Sequence, residues 1–462
     1  MEKGNKKTVR NREAVKLHYL PVEERINNFK EVNLGYLTLE EVIEECERCY
    51  QCFQKSDPQI KPPPCMKYCP THCNSRDIIK NVLTDNIEDA LEIIYEHYPI
   101  PRCVERVCPG YCQLYCTAGK KGDPIQIPMI KRFLVDHFGL NKKFYEHEED
   151  RGKKVAVIGS GPLGLTVSFY LRKYGINVSI FEKLNIIGGM LITEIPEFRL
   201  PRNVLKVEIE NIQNFGVSII NKKGIDDNFS VNYLFDEGFD AVVVGIGSQK
   251  AKWMNLPGED SEIILHAIQF LKDFNLKNKI PDLEKKKVVV IGGGSTATDT
   301  ARVAKRLGAN VTILYRREKV HMPAGRIEIE HTEEEGINME FLINPKEFIC
   351  IEDEFQGAVC HRMELGEVDL TGRPNPIPIE GTEIKIEADL IIEAVGQHPD
   401  LTGFDLEKFR VTKNNTFDVD ENYFTSVPKV FAGGDCVLGS KSVVHAIAHG
   451  KIIANQIIKS LK

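Results

Sequence analysis

The sequence predicts an α/β protein: two parallel-sheet units, the second inserted in the first, behind an α-helical, cysteine-rich N-terminal domain. Three observations carry this reading. A strand–glycine turn–helix–strand pattern begins at Lys154 and recurs at Lys287, about 130 residues later. An apolar run, Ala388–Ile392, offers a strand that leads back into the first unit. Ten of the thirteen cysteines fall between Cys46 and Cys116, ahead of both units. The boundaries expected from these features are 1–150 for the cysteine-rich domain, 151–280 with 388–462 for the first unit, and 281–387 for the second.

In the N-terminal domain, residues 1–37 read as a polar arm or short helix. Thr38-Leu39-Glu40-Glu41 is a capping box, since the Thr hydroxyl and the Glu three residues on can satisfy each other's backbone donors. The helix it starts carries Leu39, Val42, Ile43 and Cys46 on one face and ends near Cys49. A second helix is expected over 84–98, and the Cys-, Gly- and Pro-rich segment 101–128 is expected to be mostly irregular. A charged linker, 141–154, precedes the first unit.

With 42% hydrophobic and 27% charged residues, the chain has the makeup of a globular protein with a large core. A net charge of −7 gives no electrostatic case for nucleic acid or an anionic membrane as partner. No segment approaches the roughly 20 uninterrupted apolar residues of a membrane span. The first residues have no apolar core of the secretory kind, so the expected location is cytoplasmic.

The first unit reads VAVIGSGPLGL. Gly159-x-Gly161-x-x-Gly164 follows a strand and opens a helix, which is the setting of a dinucleotide-binding, Rossmann-like turn. The first glycine permits the turn, the second lets backbone approach a pyrophosphate, and the third lets helix and strand pack closely. Glu182 ends the next strand, 23 positions after Gly159, where a carboxylate accepts from ribose hydroxyls.

The second unit reads VVVIGGGSTATDTA. Gly292-x-Gly294 is followed by Ser295 and Thr296, and Ala297 takes the third small-residue position. Tyr315, not an acid, stands 23 positions after Gly292, and Arg316 and Arg317 follow at once. Guanidinium groups at this place suit a 2′-phosphate. The first unit is therefore expected to bind FAD and the second NADPH. Gly188-Gly189-Met190 offers a further close backbone approach to the flavin, and Gly434-Asp435 places an acid for its ribitol ahead of the last helix.

The clustered cysteines read Cys46-x2-Cys49-x2-Cys52, Cys65-x3-Cys69-Pro70-x2-Cys73 and Cys103-x4-Cys108-Pro109-x2-Cys112-x3-Cys116. In a reducing compartment such runs read as metal ligands or catalytic thiols rather than as disulfides. Closely spaced Cys with a following Pro suits iron–sulfur clusters, and eight thiolates for two four-iron clusters leave two over. Zinc also takes Cys-x2-Cys pairs, but it carries no electrons to or from a neighbouring flavin. Cys350, Cys360 and Cys436 are read as buried small hydrophobes.

Over nearly its whole length the sequence resembles the glutamate synthase small (β) subunit family. That family includes the large subunit of NADH-dependent ferredoxin:NADP oxidoreductase and the N-terminal half of dihydropyrimidine dehydrogenase. The resemblance rests on ERCYQC with PPCMKYCP, RVCPGYCQLYC, IGSGPLGL, IPEFRLP, IGGGSTATDTAR, VTILYRRE with HMPA, AVGQHPD and FAGGDC. It implies FAD, NADPH and two [4Fe-4S] clusters. One cluster would take Cys49, Cys52, Cys65 and Cys116. The other would take Cys69, Cys108 and Cys112 with a Glu or Gln, at a position occupied here by Lys131. Cys73 or Cys103 is then expected to complete the second cluster. The resemblance also suggests that Arg199 places positive charge near the flavin.

The expected reaction is hydride transfer between nicotinamide C4 and flavin N5, followed by single-electron steps through the clusters, with no acid–base catalyst needed. The expected partner is a second flavoprotein subunit or ferredoxin, with flavin bifurcation as one form of the exchange. The alternatives are the electron-input subunit of a glutamate synthase, docked to its large subunit, and a non-catalytic electron-transfer adaptor.

Overall fold

Lys154–Ile158 (KVAVI) and Lys287–Ile291 (KVVVI) each occupy the middle of a five-stranded sheet. In both, only the lysine is exposed, as expected of strands covered by helices on both faces. The computed structural model describes residues 11–139, 146–351, 354–369 and 372–462. The first ten residues of the polar arm and positions 141–145 of the expected linker lie outside the described residues.

The first sheet runs, in spatial order, Val430–Ala432, Ala241–Val244, Lys154–Ile158, Asn177–Glu182 and Ser218–Asn221, every pair parallel. The second runs Asn338–Phe341, Asn310–Tyr315, Lys287–Ile291, Leu390–Glu393 and Ile264–His266, again all parallel. Each central strand passes through a glycine turn into a helix, Pro162–Lys173 in the first unit and Ser295–Arg306 in the second.

Strand pairing draws the unit boundaries differently from the expected 281 and 387. Leu390–Glu393, read as the return to the first unit, pairs with Lys287–Ile291 in the second sheet, Leu390 opposite Val288. Ile264–His266, expected in the first unit, pairs with that same strand. The strand that rejoins the first sheet is Val430–Ala432. An all-apolar strand such as LIIE announces that both its faces are buried, but its pattern does not say in which of two parallel sheets. The two connections between units, Lys250–Ala251 and Gln397–His398, pair antiparallel as a two-stranded ribbon. An antiparallel sheet of Ile343–Ile351, Glu354–Val368, Pro374–Pro378 and Ile384–Glu387 is appended to the second unit.

In the N-terminal domain, Leu39–Glu47 begins at the expected capping box. Thr38 Oγ1 accepts from Glu41 N at 3.3 Å, and Glu41 Oε2 accepts from Thr38 N at 3.2 Å. The expected helix over 84–98 is Ile87–His97. The segment expected to be irregular holds two helices, Pro101–Val107 and Tyr111–Leu114, and runs into a third, Ile127–Phe138. Pro101 and Pro128 stand in first turns, where a missing N–H removes no helical hydrogen bond, so proline content misleads there. The core of this domain is continuous with that of the first unit. Among the described residues, no helix is long and apolar enough to cross a membrane.

Candidate functional site

At the first glycine turn, Gly159 has φ +102° and a Cβ there would lie 2.5 Å from Gly245 O. A Cβ on Gly164 would strike Gly159 O, so this residue allows the helix Pro162–Lys173 to sit on its strand. Gly161 faces open space up to Gly189 Cα at 4.0 Å, and Gly189 holds φ +54° against it. These two backbones therefore frame a shallow cradle at the helix N-terminus, the form a pyrophosphate requires. Glu182 is buried at the end of its strand. Its Oε2 accepts from Ser160 N at 3.0 Å and Ser160 Oγ at 2.5 Å, and its Oε1 from Leu184 N at 2.8 Å. Ser160 Oγ in turn accepts from Gly188 N at 3.0 Å, which locks the second glycine turn to the first. Ser160 was missed as a site residue because it occupies a variable position of the motif.

Farther along the cleft, Met190 opens a short helix and its Sδ lies 3.8 Å from Gln397 Nε2. Gly434 has φ +69°, its N–H donates to His449 Nδ1 at 3.3 Å, and Asp435 follows. Burial pushes the Asp435 carboxyl up to about 7. Glu194, not singled out from the sequence, is buried in the same region. Burial, with the nearby Asp435 carboxylate adding, pushes its carboxyl up to about 8, and its Oε1 has no hydrogen-bond partner.

Arg199, expected beside the flavin, makes ion pairs to carboxylates of the second unit. Its Nη1 donates to Asp299 Oδ2 at 2.6 Å and its Nη2 bonds Glu328 Oε1. Both carboxylates belong to the second unit, so Arg199 is a buried tie between units. Glu328 also accepts from Ser295 Oγ at 2.6 Å and Gly325 N at 3.0 Å, which places a carboxylate at the opening of the second glycine helix. Nothing in the motif IPEFRLP distinguishes these two uses of an arginine.

At the second turn, Gly292 repeats the role of Gly159, since a Cβ would lie 2.5 Å from Ala394 O. Gly294 caps the helix with Pro323 as its nearest neighbour, and Thr296 is half-buried in the first helical turn. The two arginines part company. Arg316 is exposed, and the neighbouring Arg317 and Arg373 add positive charge. Arg317 is buried, with Nε donating to Pro374 O at 2.7 Å and Nη2 3.5 Å from Asp369 Oδ2. These contacts tie it to the appended sheet. A strand's alternation puts successive side chains on opposite faces, and the change of face continues past Tyr315.

The cysteines fall into two groups. Burial pushes the Cys65 thiol up to about 12, with Cys49, Cys116 and Cys52 the nearest further contributors. These four are half-buried. Cys69 and Cys112 are buried, with Cys108 beside them. Cys73 lies with this inner group, near Lys131, Cys69 and Glu105. Cys103 does not. It is buried against Glu208, Arg106, Arg102 and Asp136, on the opposite side of the helix Pro101–Val107 from Glu105. Residues two apart on a helix point to opposite sides, which takes Cys103 away from the thiols. Cys46 is buried in the hydrophobic core, as are Cys360 and Cys436 in theirs; the side chain of Cys350 lies outside the described residues.

The donor set fits iron–sulfur ligation. Cys49 Sγ accepts from Gln51 N at 3.4 Å and Cys108 Sγ from Gly110 N at 3.5 Å, contacts that stabilise thiolates. Cys52 Sγ lies 3.2 Å from Thr117 Oγ1, and Cys69 Sγ 3.2 Å from Thr71 Oγ1. Among the described residues, no three His, Cys, Asp or Glu side chains stand close enough to hold a single metal ion.

Comparisons with known proteins agree with this architecture. Residues 153–450 match the family described as pyridine nucleotide-disulphide oxidoreductase, and 25–143 match dihydropyrimidine dehydrogenase domain II, 4Fe-4S cluster. These define an oxidoreductase built on a flavin, a pyridine nucleotide and a four-iron cluster. The chain belongs to the pyridine nucleotide-disulphide oxidoreductase family, within the group that contains the glutamate synthase small subunits. It is 36% identical to the β subunit of NADP(+)-dependent formate dehydrogenase of Moorella thermoacetica, over 86% of this chain and 60% of that one. It is 33% identical to the β subunit of NADPH-Fe(3+) oxidoreductase of Geobacter sulfurreducens, over 96% and 69%. It is 31% identical to the glutamate synthase [NADPH] small chain of Escherichia coli, over 90% and 91%. The chain thus spans about three fifths of the first of these relatives. In fold it resembles Mycobacterium tuberculosis FprA in complex with NADPH, with a TM-score of 0.59 at 19% identity, covering 67% of this chain and 84% of that one.

Proposed function

We propose that this chain is an NADPH-linked subunit that moves electrons between NADP(H), FAD and two [4Fe-4S] clusters, and from there to a partner protein. One observation carries the ordering. Tyr111, between Cys108 and Cys112, meets His445 edge-to-face at 5.3 Å, and His445 lies in the first turn of the helix Val443–Ser460. The inner cysteine loop therefore rests on the flavin unit's last helix, close to the loop in which Lys441 N donates to Asp435 Oδ1 at 3.2 Å. This packing supports a path from the proposed FAD site to the inner thiols.

In this reading Gly161 and Gly189 receive the FAD pyrophosphate, Glu182 accepts from its ribose, and Asp435 from its ribitol. Gly294, Ser295 and Thr296 receive the NADPH pyrophosphate and Arg316 its 2′-phosphate. Cys49, Cys52, Cys65 and Cys116 hold the outer cluster; Cys69, Cys108 and Cys112, completed by Cys73, hold the inner one. The flavin supplies the conversion between hydride and single electrons. The chain's own residues bind and orient the groups. The partner is a second flavoprotein subunit or ferredoxin. The glutamate synthase reading has its own support, because the chain covers 91% of that small chain.

Anaerobic titration with NADPH, followed in the visible spectrum, tests the proposal. Bleaching of flavin bands together with a broad brown absorption establishes the path. Flavin bleaching in a protein without iron removes the clusters from the scheme. Addition of a glutamate synthase large subunit with glutamine and 2-oxoglutarate separates the two partner readings.

A further inference from the structure

Glu194 stands at the C-terminal end of the short helix Met190–Thr193, where its N–H donates to Met190 O at 3.1 Å. The residue is 8% exposed, and among the described residues its Oε1 has no hydrogen-bond partner. Burying a carboxyl with an oxygen unsatisfied costs stability, so the arrangement suits a group kept for chemistry rather than for packing.

The neighbours of Glu194 come from both units and from the ribbon between them. Gln397, in the ribbon, presents its side-chain amide to the carboxyl, and its Nε2 lies 3.8 Å from Met190 Sδ. Asp435 approaches from the first unit. Asp299, in the helix Ser295–Arg306, and Lys272, in the helix Ala267–Asn275, approach from the second. Asn275 Nδ2 donates to Thr193 O at 3.0 Å, which holds the second of these helices against the turn. On the turn's own side, Arg202 donates to Leu191 O at 3.1 Å and Ile195 O at 2.8 Å, and Arg199 pairs with Asp299. Burial pushes the Glu194 carboxyl up, Asp435 and Asp299 add to the rise, and Gln397 and Lys272 oppose it. Glu194 thus lies between Asp435, of the proposed flavin site, and Asp299, on the helix that opens at the second glycine turn.

We propose that Glu194 exchanges the proton that is left over when a two-electron transfer is converted into one-electron transfers in this cleft. The proposal rests on the assignment of FAD to the first unit and NADPH to the second. The hydride step needs no acid or base, because the proton travels with the electron pair. When the electrons leave singly, the proton stays behind: NADPH gives NADP⁺, two electrons and H⁺. In that direction the proton passes from flavin N5 to a Glu194 carboxylate oxygen, and then to water at the edge of the cleft, where Gln397 and Asp435 are only half-buried. In the reverse direction the Glu194 carboxyl supplies it. A carboxyl that titrates at about 8 can serve both directions near neutral pH.

The test uses the full chain with its cofactors, as wild type, Glu194→Gln and Glu194→Asp. Anaerobic stopped flow separates two half-reactions: bleaching of the flavin bands by NADPH, and their return with ferricyanide, a one-electron acceptor. Infrared spectra taken before NADPH is added read the carboxyl itself. The wild type is expected to show a protonated-carboxyl C=O band that fades as pH rises through about 8 and is missing from Glu194→Gln. Glu194→Gln should slow the return of the flavin bands at least about tenfold and slow their bleaching far less. The wild-type rate of return should rise with pH as the carboxyl ionises; Glu194→Asp should move the midpoint of that rise and Glu194→Gln should abolish it. Wild-type rates in Glu194→Gln, equal slowing of both half-reactions, or an unmoved midpoint in Glu194→Asp overturns the proposal. A wild-type protein whose flavin bands are not bleached by NADPH overturns the cofactor assignment instead.

Discussion

Lys131 Nζ lies 2.7 Å from Glu105 Oε1, and both side chains are almost wholly buried among the inner thiols. Lys131 also sits 4.5 Å over the Tyr98 ring, and the Tyr98 hydroxyl is 3.4 Å from Cys69 Sγ. The position where the family resemblance leads one to expect an iron-ligating carboxamide or carboxylate thus holds a cation, with its counter-charge supplied by the neighbouring helix.

Removing one member of this pair leaves the other charged and buried. Lys131→Met is expected to destabilise the N-terminal domain by about 3–5 kcal/mol, whereas Lys131→Met with Glu105→Leu recovers most of that loss. Thermal unfolding followed by circular dichroism measures both. Where Lys131→Met folds, losing a positive charge beside the thiols is expected to lower the reduction potential of the cluster proposed for the inner thiols, as read by an EPR redox titration.

Arg316 and Arg317 are expected to behave oppositely. On the proposed assignment, Arg316→Ala removes a charged contact to the 2′-phosphate, which is worth about 1.5–3 kcal/mol, or roughly 10–100-fold in KM for NADPH. KM for NADH should stay nearly constant. Arg317→Ala should instead lower stability, because it strips the half-buried carbonyl of Pro374 of its donor. Steady-state kinetics with both coenzymes, beside melting curves, distinguish the two.

Glu194 gives a pH dependence of definite sign. Its carboxyl is raised from 4.5 to about 8 by burial, with Asp435 adding. The folded state therefore holds a proton that the unfolded chain releases, and stability falls as pH rises from about 4.5 to about 8. Glu194→Gln should be more stable than the wild type at pH above about 8, with the difference shrinking to nothing near pH 4.5. Melting temperatures across that range give the answer, and a gap independent of pH contradicts it.

The tie between units is testable in the same manner. Arg199→Ala leaves Asp299, already pushed up to about 6 by burial, without its closest cation. Its carboxyl should rise further, and the contact between units should loosen. Limited proteolysis in the ribbon Lys250–Ala251 and Gln397–His398 should become faster, and flavin bleaching by NADPH slower.

Much of this was legible in the sequence, because the signals are local. The glycine turns at Gly159 and Gly292 announce themselves by spacing, and Thr38 with Glu41 fixes a helix start by chemistry that spans four residues. What was not legible depends on three-dimensional neighbours. LIIE at 390–393 shows that it is buried, but its sheet is chosen by pairing with Val288. The motif around Arg199 does not show its ion pair to Asp299, 100 residues away. Cys103 counts among the thiols in the sequence and is removed from them by the phase of a seven-residue helix.

The ribbon of Lys250–Ala251 against Gln397–His398 has an evolutionary corollary. In its register Ala251 faces Gln397 and Lys250 faces His398, so the chain leaves the first unit and re-enters it at one place. The second unit is in effect a cassette with both ends on the same plug. On the proposed assignment of NADPH to the second unit, replacing the cassette exchanges coenzyme preference while the first unit and the thiol domain packed on its last helix keep their contacts.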